Sequence, residues 1–97
     1  MNFGQAIEAL KEGKCIQRSG WNGKDLFIFK QVPSKIDNSI ISKMQSVPEA
    51  AKQILTNRNH QPIYYENQMA IVKPDGTIDS WVASSSDIFA EDWRILE

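Results

Sequence analysis

Pro74-Asp75-Gly76 lies between two β-type runs, Ile63 to Lys73 and Thr77 to Val82, and this arrangement constrains the fold more than any other feature of the chain. Proline presets φ for the first turn position, and glycine accepts the positive φ that other side chains avoid. The chain must reverse here, and the two runs pair as a hairpin. Further strands fit the same sheet. Lys14 to Arg18 reads as one, with Cys15 among its members. Leu26-Phe27-Ile28-Phe29 is apolar on both faces, which predicts a strand covered on both sides. Asp92 to Leu96 closes the chain as another.

Helices occupy the remaining patterned segments. Residues 2–12 place Phe3, Ile7 and Leu10 on one face; Asn2 caps, Gln5 answers three residues later, and Gly13 ends the helix. Ile36, Ile40, Ile41 and Met44 have roughly helical spacing. A clearer helix spans about 47–56, with Ser46 as its cap, Glu49 reaching back, and Pro48 in the first turn. Thr56 to Pro62 is a polar loop. Ser84 and Asp87 stand at capping-box spacing before a short helix over about 87–91. The expectation is a single α+β domain, residues 1–97, built on a small antiparallel sheet of about five strands with an N-terminal, a central and a short C-terminal helix.

With 97 residues, the chain has room for one modest core, burying roughly two-thirds of its unfolded surface. A deep internal cavity would consume that core, so a ligand site would be a groove or be shared between subunits. Eleven basic and twelve acidic residues give a net charge of −1 with no basic stripe, which disfavours a nucleic acid polymer as partner. A single cysteine forms no internal disulfide and fits a reducing cytoplasm. No stretch approaches the ~18 apolar residues of a membrane span, so no membrane association is expected.

Catalytic signatures are missing from the pattern. His60, the only histidine, lies in a polar loop without a cysteine or acidic neighbour at ligand spacing, so no metal site is expected. Cys15 has no adjacent base and reads as a buried, inert thiol. Gly20 and Gly23 are not followed by the Lys-Ser/Thr of a phosphate-binding loop. Asp75, Asp79, Asp87, Glu91 and Asp92 fit caps, turns and solvated faces. No catalytic residue and no cofactor is assigned.

Three tryptophans in so short a chain are more informative. Trp93, in the last strand, reads as core. Trp21, in the turn-rich segment from Ser19 to Lys24, is either a lid over the core or a face for a planar ligand. Trp81, at a strand end, carries the same two readings. Arg18 and Lys24 flank Trp21 with cations. Ser84-Ser85-Ser86-Asp87 follows Trp81 and opens a helix whose free N–H groups and hydroxyls favour an anionic or hydroxyl-rich ligand. A flat face beside such donors suits a nucleotide: base stacking contributes ~1–3 kcal/mol and each charge-assisted hydrogen bond ~1.5–3 kcal/mol.

Two blocks, Met1 to Ala6 with Arg18-Ser19-Gly20-Trp21-Asn22-Gly23-Lys24, and Trp81 through Trp93, together resemble the second Thoeris anti-defence family of phage proteins. The resemblance implies a molecular sponge, not an enzyme. Such a protein sequesters cyclic ADP-ribose isomers made by TIR-domain proteins (glycocyclic ADP-ribose), some members also take cyclic oligonucleotides, and homotetramers hold ligand pockets between subunits. By motif, the resemblance places Phe3, Trp21, Asn22, Trp81, Ser84 and Asp87 at the ligand, with Arg18 and Lys24 as weaker additions. It also marks residues 33–62 as an insertion relative to shorter relatives. Two rivals stand beside it: an ADP-ribose-cleaving enzyme using the C-terminal carboxylates, and a module that blocks a defence enzyme by direct contact.

Overall fold

The computed structural model describes residues 1–21 and 25–96. These form two compact units, one from Met1–Gln31 with the chain from Asn67 onward, the other from Val32–Glu66. The described elements run in chain order α1 (Phe3–Lys11), β1 (Cys15–Arg18), β2 (Phe27–Lys30), β3 (Ser34–Ile36), α2 (Asn38–Ile41), α3 (Glu49–Thr56), β4 (Ile63–Tyr65), β5 (Met69–Val72), β6 (Ile78–Ser80), α4 (Ser85–Phe89) and β7 (Trp93–Leu96). The fold is α+β, as the sequence pattern predicts.

In the first unit a five-stranded antiparallel sheet has the order β6-β5-β2-β1-β7. Register explains its core. Ile95, Ile16, Ile28 and Ile71 stand opposite one another across four neighbouring strands, and cross-strand partners share a face of the sheet. Against this row α1 packs Ala6, Ala9 and Leu10, all buried, with Phe3 and Ile7 half-buried at the flanks. Ile16 and Ile28 are fully buried and Leu10 nearly so; each side chain contributes ~1.5–3 kcal/mol of transfer free energy. On the opposite face Phe27 and Phe29 are only half-buried, so β2 is less completely covered than its apolar run predicts.

Both ends of α1 are closed locally. The Asn2 side chain accepts the Gln5 N–H at 2.8 Å, and Gln5 Oε1 accepts the Asn2 N–H at 2.9 Å. At the other end Gly13 takes φ +85°, so that the Gly13 N–H reaches the Leu10 carbonyl and the Lys14 N–H that of Ala9. Those two bonds form a Schellman closure, for which glycine is the residue without a steric penalty. The Pro74 turn is likewise as expected: Gly76 has φ +86°, and the Lys73 N–H donates to the Thr77 carbonyl at 2.9 Å.

The second unit departs from the sequence expectation in several places. β3 pairs antiparallel with β4, a two-stranded sheet where Ile36 to Met44 had suggested one helix; only the four residues of α2 are helical. The predicted long strand from Ile63 is two strands, since Glu66-Asn67-Gln68 interrupts the apolar run. Ser46 does not cap α3. Pro48 is the N-cap, in an extended conformation and with no side-chain cap bond. The cause is steric: the ring of Pro48 holds Val47 out of the helical region, so the helix starts after the proline. Glu49 pairs with Lys52 at 3.2 Å instead. Ile41 is fully buried here, and the Asn38 amide donates to the Leu55 and Gln61 carbonyls.

Candidate functional site

The candidate residues come from both ends of the first unit, and the antiparallel pairing of β1 with β7 is what joins them. In that register Arg18 stands opposite Trp93, on the face of the sheet that α1 covers. Trp93 is 2% exposed and forms the centre of an aromatic cluster. Its ring lies 5.4 Å from Phe3, 5.5 Å from Trp21 and 6.0 Å from Trp81, centroid to centroid. Trp81 also meets Phe3 at 6.4 Å and Trp21 at 6.3 Å. The three tryptophans contact each other edge to face, the arrangement that their ring quadrupoles favour. Trp21 and Trp81 are half-buried and pack against the core, so each ring is partly a lid and partly accessible surface.

A backbone bond holds Trp81 and a side-chain bond holds Trp93. The Trp81 N–H donates to the Met69 carbonyl at 2.9 Å, which continues the β5–β6 pairing one step beyond the strand. The Trp93 indole N–H donates to the Asp87 carbonyl at 2.9 Å. That bond sets α4 against the cluster. α4 itself starts at Ser85, two residues before the expected position, because Ser84 is its N-cap. The Ser84 hydroxyl accepts the Asp87 N–H, while the Asp87 carboxylate accepts the Ser84 N–H at 3.0 Å and its hydroxyl at 2.8 Å.

Arg18 bridges two carboxylates. Its Nε donates to Asp92 Oδ1 at 2.9 Å and its Nη1 to Asp87 Oδ1 at 3.0 Å. These side chains are only 14–34% exposed, which raises the interaction above that of a fully solvated pair. The guanidinium is pushed above its ordinary value, chiefly by the hydrogen bonds to Asp92 and Asp87. Burial pushes the Asp87 carboxyl up, but the Ser84 N–H and hydroxyl and the Arg18 guanidinium together hold it below the usual carboxylate range. The Arg18 hydrogen bond, followed by the Gly20 N–H, holds Asp92 below that range too.

Six candidates therefore meet in one region: Phe3, Trp21 and Trp81 through ring contacts, and Arg18, Ser84 and Asp87 through hydrogen bonds joined to the cluster by Trp93. Asn22 and Lys24 lie outside the described residues. Ser84, Asp87 and Arg18 are largely engaged with one another. Asp92 and Trp93 were not among the candidates, yet Asp92 holds Arg18 and Trp93 touches every ring. The signal available for them was the Asp92-Trp93 pair at the close of the second motif. Two cavities, of about 540 Å³ beside Ile7, Lys30 and Met69 and about 520 Å³ beside Lys35, Ser39 and His60, lie elsewhere, and no candidate residue lines either.

Other chemistry is sparse. Cys15 is a free, half-buried thiol, more accessible than the buried position expected. His60 is exposed and takes φ +59° beside Asn59 at +50°. Among the described residues no group of three or more His, Cys, Asp or Glu side chains is placed to hold a metal ion. No helix among them is long and apolar enough to cross a membrane.

Comparison with known proteins supplies the family. The sequence profile of the Thoeris anti-defense 2-like domain matches residues 1–96. A protein of Bacillus phage SP01 named Thoeris anti-defense 2 is 32% identical over 96 residues, covering 99% of this chain and 94% of that protein. The aligned length includes the central segment that separates the two motif blocks. This chain belongs to the Thoeris anti-defense 2-like family, and so stands among phage anti-defence proteins.

Proposed function

We propose that the protein is a sponge: it binds a TIR-generated cyclic ADP-ribose isomer of the glycocyclic kind in the host cytoplasm, does not cleave it, and so silences Thoeris immunity. One observation carries this reading: Phe3, Trp21 and Trp81, drawn from opposite ends of the chain, converge on Trp93 beside the Ser84-capped start of α4. Half-buried indoles offer rigid stacking area for an adenine ring, and hydroxyls at the margin suit ribose and phosphate oxygens. Family membership supports the same reading. Capture without chemistry is favoured by the state of the carboxylates. Asp87 is held below the usual carboxylate range by Ser84 and Arg18, and Asp92 by Arg18 and the Gly20 N–H. With their oxygens taken up in these bonds, neither is poised as the proton donor of a glycosidic cleavage.

A shared site fits the dimensions. Trp21 and Trp81 present the half-buried outer edge of the cluster, so a ligand gains enclosure where a second copy closes over it. Val82, next to Trp81 in the chain, and Phe89, at the end of α4, are each 84% exposed and give such a contact apolar area, in the homotetramer we propose. The same exposed pair favours a second reading, a surface that blocks a defence enzyme directly. The experiment is capture and release: mix the protein with the cyclic signal, remove free ligand, denature by heat, and analyse the supernatant by mass spectrometry. Intact signal is the expected product. A cleaved product would make the protein an enzyme. No captured nucleotide, with stable retention of a bacterial defence protein, would establish the second reading.

A further inference from the structure

We propose that Asp92 is a positioning residue that sets the Trp21 ring within the aromatic cluster. Its side chain and main chain grip the three residues preceding Trp21. Oδ1 accepts Arg18 Nε at 2.9 Å, and Oδ2 accepts the Gly20 N–H at 3.0 Å. The Asp92 carbonyl accepts both the Ser19 N–H at 2.9 Å and the Ser19 hydroxyl at 3.0 Å. The Trp21 N–H then closes back on the Arg18 carbonyl at 3.2 Å. One residue immediately before β7 thus fixes a turn more than seventy positions away. The next residue in the chain is Trp93, on which the Trp21 ring rests. A single peptide link therefore separates the clamp from the surface that it positions Trp21 against.

The chemistry requires a carboxylate here. Both oxygens are in use, each by a different donor, and an amide offers only one acceptor oxygen beside an NH₂ group. In Asp92→Asn, either Arg18 Nε–H or the Gly20 N–H would face another donor. Gly20 belongs to the same device: a Cβ at that position would sit 3.0 Å from Asp92 Oδ2, at the limit of close contact. Arg18 extends the clamp to α4 through Asp87, a bridge that needs the planar fork of arginine.

The test uses the full chain labelled with 5-fluorotryptophan, whose three ¹⁹F resonances are assigned from Trp→Phe variants. Asp92→Asn and the gentler Gly20→Ala should shift the Trp21 resonance and move those of Trp81 and Trp93 by less. Asp92→Glu, which keeps two acceptor oxygens, should restore part of the shift. Where the sponge reading also holds, signal capture by Asp92→Asn weakens by about ten- to a hundred-fold, the equivalent of one charge-assisted bond. The ¹⁹F readout does not depend on that reading: a shifted Trp21 with undiminished capture supports the clamp and counts against Trp21 as a ligand contact. An unmoved Trp21 resonance in both variants overturns the proposal. So does an equal movement of all three resonances, which would make Asp92 a general stabiliser.

Discussion

Replacing Ser84 by alanine separates a helix cap from a ligand donor. The Ser84 hydroxyl accepts the Asp87 N–H at 3.2 Å and donates to Asp87 Oδ2 at 2.8 Å. Alanine removes both bonds, while the Ser84 N–H and Arg18 still hold the Asp87 carboxylate. Loss of such a cap costs ~1 kcal/mol, within a range of about 0.5–2. For a domain of this size ~1 kcal/mol lowers Tm by roughly 4–8 °C. Thermal unfolding by circular dichroism measures the shift, and urea unfolding with an unchanged m-value shows that the ensemble compared is the same. Ser84→Thr, which keeps a hydroxyl, should regain most of the loss. A Ser84→Ala variant with wild-type Tm would refute the capping argument; if it had also lost signal capture, the hydroxyl would belong to the ligand.

The remaining predictions concern the same region. Trp93→Phe loses the indole N–H bond to the Asp87 carbonyl and should destabilise by about 1–3 kcal/mol, read by urea unfolding; a change below about 0.5 kcal/mol, the range of ordinary surface substitutions, would contradict it. Asp87 and Asp92 both have lowered folded-state values, so the stability that they add is complete above the unfolded carboxylate value of ~3.9 and is lost as pH falls through the depressed folded values. Their contribution should leave Tm flat from neutrality to about pH 4 and lower it below, with a shallower fall in Arg18→Gln, where the share of the depression that Arg18 supplies is removed. An equally steep acid limb in that variant would mean that other carboxylates dominate.

Local chemistry made much of the fold legible. The Asn2–Gln5 and Ser84–Asp87 boxes, the Gly13 closure and the Pro74 turn each depend on residues three or four apart, and each forms as read. The central segment was harder because its signals compete. Ser46 and Glu49 have capping-box spacing, but the steric demand of Pro48 on Val47 outweighs them. β3 is three residues long, too short to show a period. The site was half legible. Aromatics in the two terminal motifs pointed to Phe3, Trp21 and Trp81, and pairing of β1 with β7 brings them together. Arg18 reads as a turn cation in sequence, yet its partners lie 69 and 74 residues away, and no spacing rule reaches that far. Asp92 was obscured by the same distance.

The central claim is that Trp21 and Trp81 form the surface that captures the signal. Calorimetric titration of a cyclic ADP-ribose isomer into the wild-type protein, Trp21→Ala and Trp81→Ala tests it most directly, with circular dichroism confirming that each variant is folded. The account predicts saturable binding by the wild type and a loss of about 1–3 kcal/mol for each folded variant, the value of one stacked base. Wild-type affinity in both folded variants, or no heat from the wild type with any isomer, would contradict it.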